Sequence, residues 1–414
     1  MARTVSLLRE LIPPPGVIRI LVCANLARTV GTGIIVSMNV LFFTRSVGIS
    51  AQHVGLGLSC AAVIGMLTSV PTGHLADKLG GKRASMLFVL LQGVTACGYT
   101  VVGDFGGFLV AASVAAVTDS AANAARGALV ADLVKGAERV RARAYLRSAT
   151  NVGVSVGALL GGWALSYDTR GVYLAALLGC GAFYAVGALV YLALPKTEPV
   201  PRPPRTARWV ALTDGPYAAV SAVNAVLVMN GGLLTVALPI WITERTSAPA
   251  ALFSGLLLVN TVMVVLLQVR MSRNVVSARD GAFALRRAGV LLAVCCAVFA
   301  AAHGHGMWAA VILLVLGTVI HVFGELLYSA GSWAVSYELA APHAQGQYQG
   351  FFGLSSQLGT AMVPSAATAL LMGFGWWGWL LLAAVLLAAG TVAPRTTAWA
   401  ERNRPWSPQR EPVA

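Results

Sequence analysis

The chain has 414 residues, 57% hydrophobic and only 11% charged, with a formal net charge of +14. A soluble domain carries about 25% charged residues, so this composition excludes a water-soluble fold, a disordered chain, a coiled coil and a secreted disulfide scaffold. At about 20 residues per bilayer crossing, the apolar content fills roughly twelve spans. In chain order the apolar segments run 17–43, 52–72, 84–103, 106–131, 148–167 and 172–194. A second set runs 216–242, 250–269, 288–302, 307–332, 351–372 and 376–393. Segments this long predict spanning helices, not the roughly 10-residue alternating strands of a membrane barrel. The segment 288–302 is the shortest, which leaves eleven or thirteen spans as the alternatives to twelve.

The expected fold is therefore an all-α integral membrane protein with twelve transmembrane helices in two six-helix bundles. The first bundle occupies 1–195 and the second 214–394, with a linker at 196–213 and a tail at 395–414. The stretch from Pro195 to Arg208 is rich in Pro and Arg, as a semi-extended connection would be. With the N-terminus placed inside, 24 of the 29 basic residues fall in inner segments and only Arg45, Arg170 and Arg245 in outer loops. The positive-inside rule then puts both termini in the cytoplasm. The same distribution explains the net charge by topology, beside the head groups of the lipid bilayer, and no nucleic-acid partner is expected. All six cysteines lie in apolar segments without disulfide or zinc spacing, so no metal site and no cofactor is expected. No cleavable leader is expected either, because Pro13, Pro14 and Pro15 precede the first long span.

Polar residues inside the apolar segments are not scattered evenly. At 100° per residue the first span places Asn25, Arg28, Thr29, Thr32 and Asn39 on one face, and the fourth gathers Asp119, Asn123 and Arg126. The seventh gathers Tyr217, Ser221, Asn224, Gly231 and Thr235; the tenth gathers Thr318, His321, Glu325, Tyr328 and Ser332. A water-filled cavity shared by these four spans accounts for the pattern, since ionisable groups in a bilayer cost about 3 kcal/mol or more unless paired or hydrated. Two readings stay open for the charged groups. Arg28 with Asp119, and His321 with Glu325, are either structural pairs or the route of a transported species. The isolated Asn, Ser and Thr residues are equally compatible with helix packing. An offset of 206 pairs Asp119 with Glu325, Asn151 with Gln357 and Gly153 with Gly359, as an internal repeat would.

After the second span the chain reads Gly73-His74-Leu75-Ala76-Asp77-Lys78-Leu79-Gly80-Gly81-Lys82-Arg83. This resembles the signature loop of the major facilitator superfamily, and it stands between spans two and three as that family's loop does. The resemblance implies a conformational lock built from Gly73, Asp77, Lys78, Gly80, Lys82 and Arg83. Asp77 would lie near the start of span eleven, and a basic residue of the loop near Asp132. One basic position of the family pattern is Gly81 here, so Lys82 or Arg83 would have to serve. Span five carries Gly153, Gly157, Gly161 and Gly162, a spacing similar to the family's antiporter motif with Ala158 in place of its proline. Close helix packing explains these glycines equally well.

The resemblance implies alternating access by a monomeric secondary transporter of a small-molecule substrate in the cell membrane. Protons are the expected coupling ion, carried by Asp119 and Glu325, with His321 tuning Glu325 or relaying the proton, while Arg28 and Arg126 are expected to hold an anionic group of the substrate or to lower the pKa of a nearby acid. Export of drug-like compounds or natural products is the first reading; uptake of a nutrient by proton symport is the alternative. An integral-membrane enzyme or a scaffold is the distant alternative. The six histidines form no ligand or nucleophile–base pattern that an enzyme would need.

Overall fold

A computed structural model describes residues 12–136, 138–197 and 209–404. Most of the expected linker and the end of the expected tail lie outside the described residues. Among those described, the secondary structure is helical throughout, with twelve long helices and no strand. They are α1 (Val17–Leu41), α2 (Ala51–Leu79), α3 (Gly81–Gly98), α4 (Phe105–Leu133), α5 (Glu138–Tyr167) and α6 (Arg170–Val190). The second set is α7 (Gly215–Arg245), α8 (Leu252–Ser272), α9 (Ala278–Ala301), α10 (Met307–Glu338), α11 (Gln345–Phe374) and α12 (Trp376–Asn403). Ten are long and apolar enough to cross a membrane; α5 and α11, which open on polar turns, fall short of that apolarity.

Several helices start on a capping side chain, which lets them begin in polar sequence. Asp104 accepts a hydrogen bond from the Gly107 amide at 2.7 Å and starts α4. Asp214 does the same for Tyr217 at 2.9 Å, with Pro216 in the first turn of α7. At α9, Ser277 and Asp280 form a reciprocal capping box, which carries the helix about 15 Å beyond its purely apolar part. The shortest apolar segment thus belongs to a full-length helix. Similarly, α12 continues through Asn403, well into the region read as a tail.

One helix differs from its expected form. Segment 216–242 reads as a single run, but α7 is interrupted: a regular turn ends at Leu227, a short piece covers Asn230–Gly232, and a wide π turn covers Leu233–Ala237. Two adjacent glycines, Gly231 and Gly232, weaken the helix at that point. At the interruption the Asn230 carbonyl accepts from the Leu233 amide and keeps a second lone pair for a partner outside the helix.

Two compact units emerge, each drawing on both halves of the chain. The first comprises 1–135, 145–211 and 341–354; the second comprises 136–144, 212–340 and 355–414. In the first unit, α2 lies along α4, α1 along α6, and α3 against both α4 and α6. One end is filled by an aromatic cluster in which Phe43 meets Tyr99 and Phe108, while Phe42 meets Tyr173. In the second unit, α9 packs on α10 and α12, α7 on α12, and α8 on α10. Trp241, Phe299 and Trp379 form its aromatic cluster, and the Trp241 indole donates to the Phe299 carbonyl at 2.8 Å.

The turn joining α5 to α6 is fixed by charge. Asp168 has a left-handed backbone (φ 44°), pairs with Arg45 at 3.0 Å and accepts a bond from the Tyr173 hydroxyl. That hydroxyl first, and Arg45 after it, hold the Asp168 carboxyl below its ordinary pKa despite some opposing desolvation.

Candidate functional site: two acid clusters and a helix clasp

In the first unit, α4 presents Asp119 with its side chain half exposed while Arg28 of α1 is almost fully buried beside it. The Arg28 guanidinium reaches Asp119 Oδ1 at 3.4 Å. The same oxygen accepts from Gln92 Nε2 of α3 at 2.9 Å, and Oδ2 accepts from Asn123 Nδ2 at 2.9 Å. Arg126 in turn donates to Asn123 Oδ1 at 2.5 Å. The result is a relay along α4, Arg126 to Asn123 to Asp119, closed by donors from two neighbouring helices. A carboxyl group with this many donors is firmly positioned, and its exposed side leaves room for a further partner. Thr32 extends the polar surface through a 3.1 Å bond with the Tyr184 hydroxyl of α6.

In the second unit, Glu325 of α10 is largely buried, with its side chain 12% exposed. Asn260 of α8 donates to Glu325 Oε2 at 3.0 Å. His321 lies one turn away, its Nδ1 at 3.9 Å from the same oxygen, and its Nε2 meets the Asn230 carbonyl at 2.9 Å. The interruption of α7 therefore supplies the partner that orients the imidazole. Hydrogen bonding at one ring nitrogen decides which proton the other carries.

Several expected cavity residues have other partners. Asn25 is buried, and its amide nitrogen donates to the Leu146 carbonyl at 3.0 Å and to Thr150 Oγ1 at 2.8 Å, joining α1 to α5. Asn224 is buried likewise, joining α7 to α11 through Ser355 and Ser356 at 3.2 and 2.9 Å. Its oxygen accepts from Tyr328 at 3.0 Å and Ser332 at 2.8 Å. These asparagines join neighbouring helices. Thr235 bonds back to the Gly231 carbonyl at 3.1 Å, and Asn39 is partly buried on α1.

Sequence reasoning missed Gln92, Asn260 and Tyr184. The signal was there in two of them: each is an amide within a largely apolar helix, where an unpaired one would be costly. Gln92 and Asn260 lie on spans three and eight, outside the four most polar spans, and each completes one acid cluster.

The loop after α2 forms a clasp inside the first unit. Gly80, with φ 80°, makes the corner between α2 and α3 in a conformation that favours glycine. A Cβ on Gly73 would lie only 2.1 Å from the Gly346 carbonyl, so α2 and the start of α11 meet backbone to backbone. Asp77 accepts from the Gly346 and Gln347 amides at 2.5 and 3.0 Å, using the unsatisfied N–H groups of the α11 first turn. His74 adds a 3.0 Å bond to the Gln347 side chain. Lys82 takes a direction other than the expected one toward Asp132. Its ammonium donates to the carbonyls of Leu192, at 3.0 Å, and Leu194, at the end of α6. Free carbonyls at a helix C-terminus attract a cation. Asp132 lies against Gly81, where a Cβ would meet its carboxylate at 2.7 Å; Lys78 and Arg83 are exposed.

The glycines of α5 divide. Cβ atoms on Gly153, Gly157 and Gly161 would lie 2.1, 2.1 and 2.0 Å from Thr29 Oγ1, the Val30 carbonyl and Ser37 Oγ of α1. Gly162 faces open space and takes no part in that contact.

A family model described as Major Facilitator Superfamily matches residues 20–364. The chain belongs to the major facilitator superfamily. The multidrug resistance protein MdtH of Aeromonas hydrophila subsp. hydrophila is 25% identical over 370 residues, 86% of this chain and 89% of that protein. An uncharacterized MFS-type transporter, YqjV of Bacillus subtilis, is 22% identical over 334 residues, 78% of each chain. Among solved structures, the superfamily transporter FucP in its outward conformation aligns with a TM-score of 0.71 at 14% identity, covering 94% of this chain and 99% of that one. A bacterial homologue of the iron transporter ferroportin, in an outward-facing state, aligns with a TM-score of 0.70 at 15% identity, covering 93% and 99%. This superfamily member is accordingly a multi-pass membrane transporter of small molecules, not an enzyme.

Proposed function

We propose that this chain exports small, partly apolar molecules in exchange for protons across the cell membrane, working as a monomer with both termini in the cytoplasm. The single observation that carries the reading is Asp119: a half-exposed carboxylate held by Gln92, Asn123 and Arg28 within a membrane-spanning bundle. A carboxylate so placed exchanges its proton as access to water changes, and losing the proton restores its bonds to Arg28 and Asn123. Glu325, with Asn260 and His321, is the corresponding acid of the second unit. The MdtH relatives, named for multidrug resistance, support the direction and the substrate class. Asp77, by gripping the first turn of α11, acts as a catch that opens and closes once per transport cycle.

The test uses reconstituted protein. Asp119→Asn and Glu325→Gln should each abolish transport driven by a pH gradient while leaving substrate exchange intact. Both variants concentrating substrate as the wild type does would remove the proton assignment. Uptake in right-side-out vesicles and none in inverted ones would reverse the direction.

A further inference from the structure

The outer face of α9 carries three arginines that the transport reading does not use. Arg279, Phe283, Arg286, Arg287 and Val290 recur at intervals of three, four and one, which places them on one side of the helix. The opposite side, with Ala282, Leu285, Ala288 and Leu292, is buried against the neighbouring helices. Phe283 and Val290 are 40% and 43% exposed, and the Arg279 guanidinium lies 6.0 Å from the Phe283 ring centre. Between α9 and α10 the surface forms an open groove of about 510 Å³. Arg286 and Arg287 line it with Phe283, Val290, Leu291 and Leu327.

Two guanidinium groups on an exposed helical face need counter-charge. Among the described residues neither Arg286 nor Arg287 has a hydrogen bond or an ion pair. Counting back about 20 residues from the end of α9 at Ala301 puts the hydrocarbon boundary near Phe283. Both arginines then lie just inside it, at a depth from which a long side chain reaches back to the head groups. An anionic phosphate satisfies them in the geometry guanidinium favours, two parallel hydrogen bonds each. The groove below is apolar, as an acyl chain requires.

We propose that Arg286 and Arg287 bind the phosphate of an anionic phospholipid, with one acyl chain in the groove formed by Val290, Leu291 and Leu327. The site depends on α9 crossing the bilayer and not on which molecule is transported or in which direction. Arg279, stacked on Phe283, holds the ring that closes the groove at the head-group end.

Native mass spectrometry of the purified protein decides the matter, comparing phosphatidylglycerol with phosphatidylcholine of the same acyl chains. The wild type should retain phosphatidylglycerol at least about fivefold better. Arg286→Gln with Arg287→Gln should lose that preference, and Arg286→Lys with Arg287→Lys should keep part of it. Leu327→Trp, which fills the groove and leaves both arginines, should lose it as well, so the outcome does not rest on one variant folding. Equal retention of the two lipids by the wild type would overturn the proposal, as would a double glutamine variant that still prefers phosphatidylglycerol. Displacement of the lipid by millimolar inorganic phosphate would assign the arginines to a free anion instead and overturn the lipid site.

Discussion

Asp119 and Glu325 hold comparable positions in their units yet are served by different neighbours. Asp119 meets the Arg28 guanidinium and the amides of Gln92 and Asn123; beside Glu325 stand the Asn260 amide and the His321 imidazole. Gln92 tests how far the surroundings of the acid matter. Gln92→Leu removes one hydrogen bond to a charged group, worth about 1.5 kcal/mol, and should lower gradient-driven transport on the order of tenfold with the fold retained. Asn260→Leu should act similarly through Glu325. Transport assays with a thermal-unfolding control separate these effects from misfolding. Unchanged transport in both variants would mean that the amides are only filling space.

At the scale of helices, contact between α1 and α5 depends on three glycines with no room for a side chain. Gly157→Leu must push α5 away from the Val30 carbonyl, and overpacking of this kind costs about 1–3 kcal/mol. A lowered unfolding temperature and poor expression should follow. Gly162→Leu, on the open side of the same helix, should behave as wild type. A second prediction concerns the turn after α5. Because the Asp168 carboxyl is held below its unfolded value, its contribution to stability is present above about pH 4 and is lost as pH falls through the lowered value. Asp168→Asn should therefore flatten the decline in unfolding temperature on acidification. The repeated glycines were legible in the sequence as a motif or a packing face, and neighbouring α1 atoms distinguish the three that pack from Gly162. The break in α7 was not legible from hydropathy: 216–242 reads as one spanning segment despite Gly231 and Gly232, and nothing in that reading says which carbonyl a distant His321 will engage.

For the whole molecule, hydropathy and charge were sufficient to reach twelve helices, because membrane crossing constrains segment length so tightly. Partnerships between helices were much less legible, since any apolar face suits another. The compact units illustrate this. The chain divides near its middle by composition, but 136–144 groups with the second unit and 341–354 with the first. Arg143, at the start of α5, stacks over Trp333 and Tyr337 of α10 at 5.9 and 5.6 Å, while Asp77 holds the start of α11. Both are polar-to-backbone or cation–ring contacts that no periodicity reveals. Asp77→Asn weakens two charge-assisted bonds, and amide hydrogen exchange over 345–350 should accelerate about tenfold. Unaltered exchange there would show that Gly73 and Gly346 hold the clasp unaided.

The paired asparagine joints have a historical consequence. Asn25 bonded to Thr150 with Gly153 close against Thr29, and Asn224 bonded to Ser356 with Gly359 close against Ala225, are the same fastening made twice. The first members are 199 residues apart and the others 206, so the later copy has gained seven residues between its first and fifth helices. Seven residues are about two helical turns, an insertion that returns every side chain to nearly its former face. A duplicated ancestor of half the length would leave such a trace: its carpentry preserved in both descendants, its acids kept but their companions replaced. Each joint then serves as the natural control for the other, and a substitution harmful at Asn25 but harmless at Asn224 would reveal where the two halves have ceased to be equivalent.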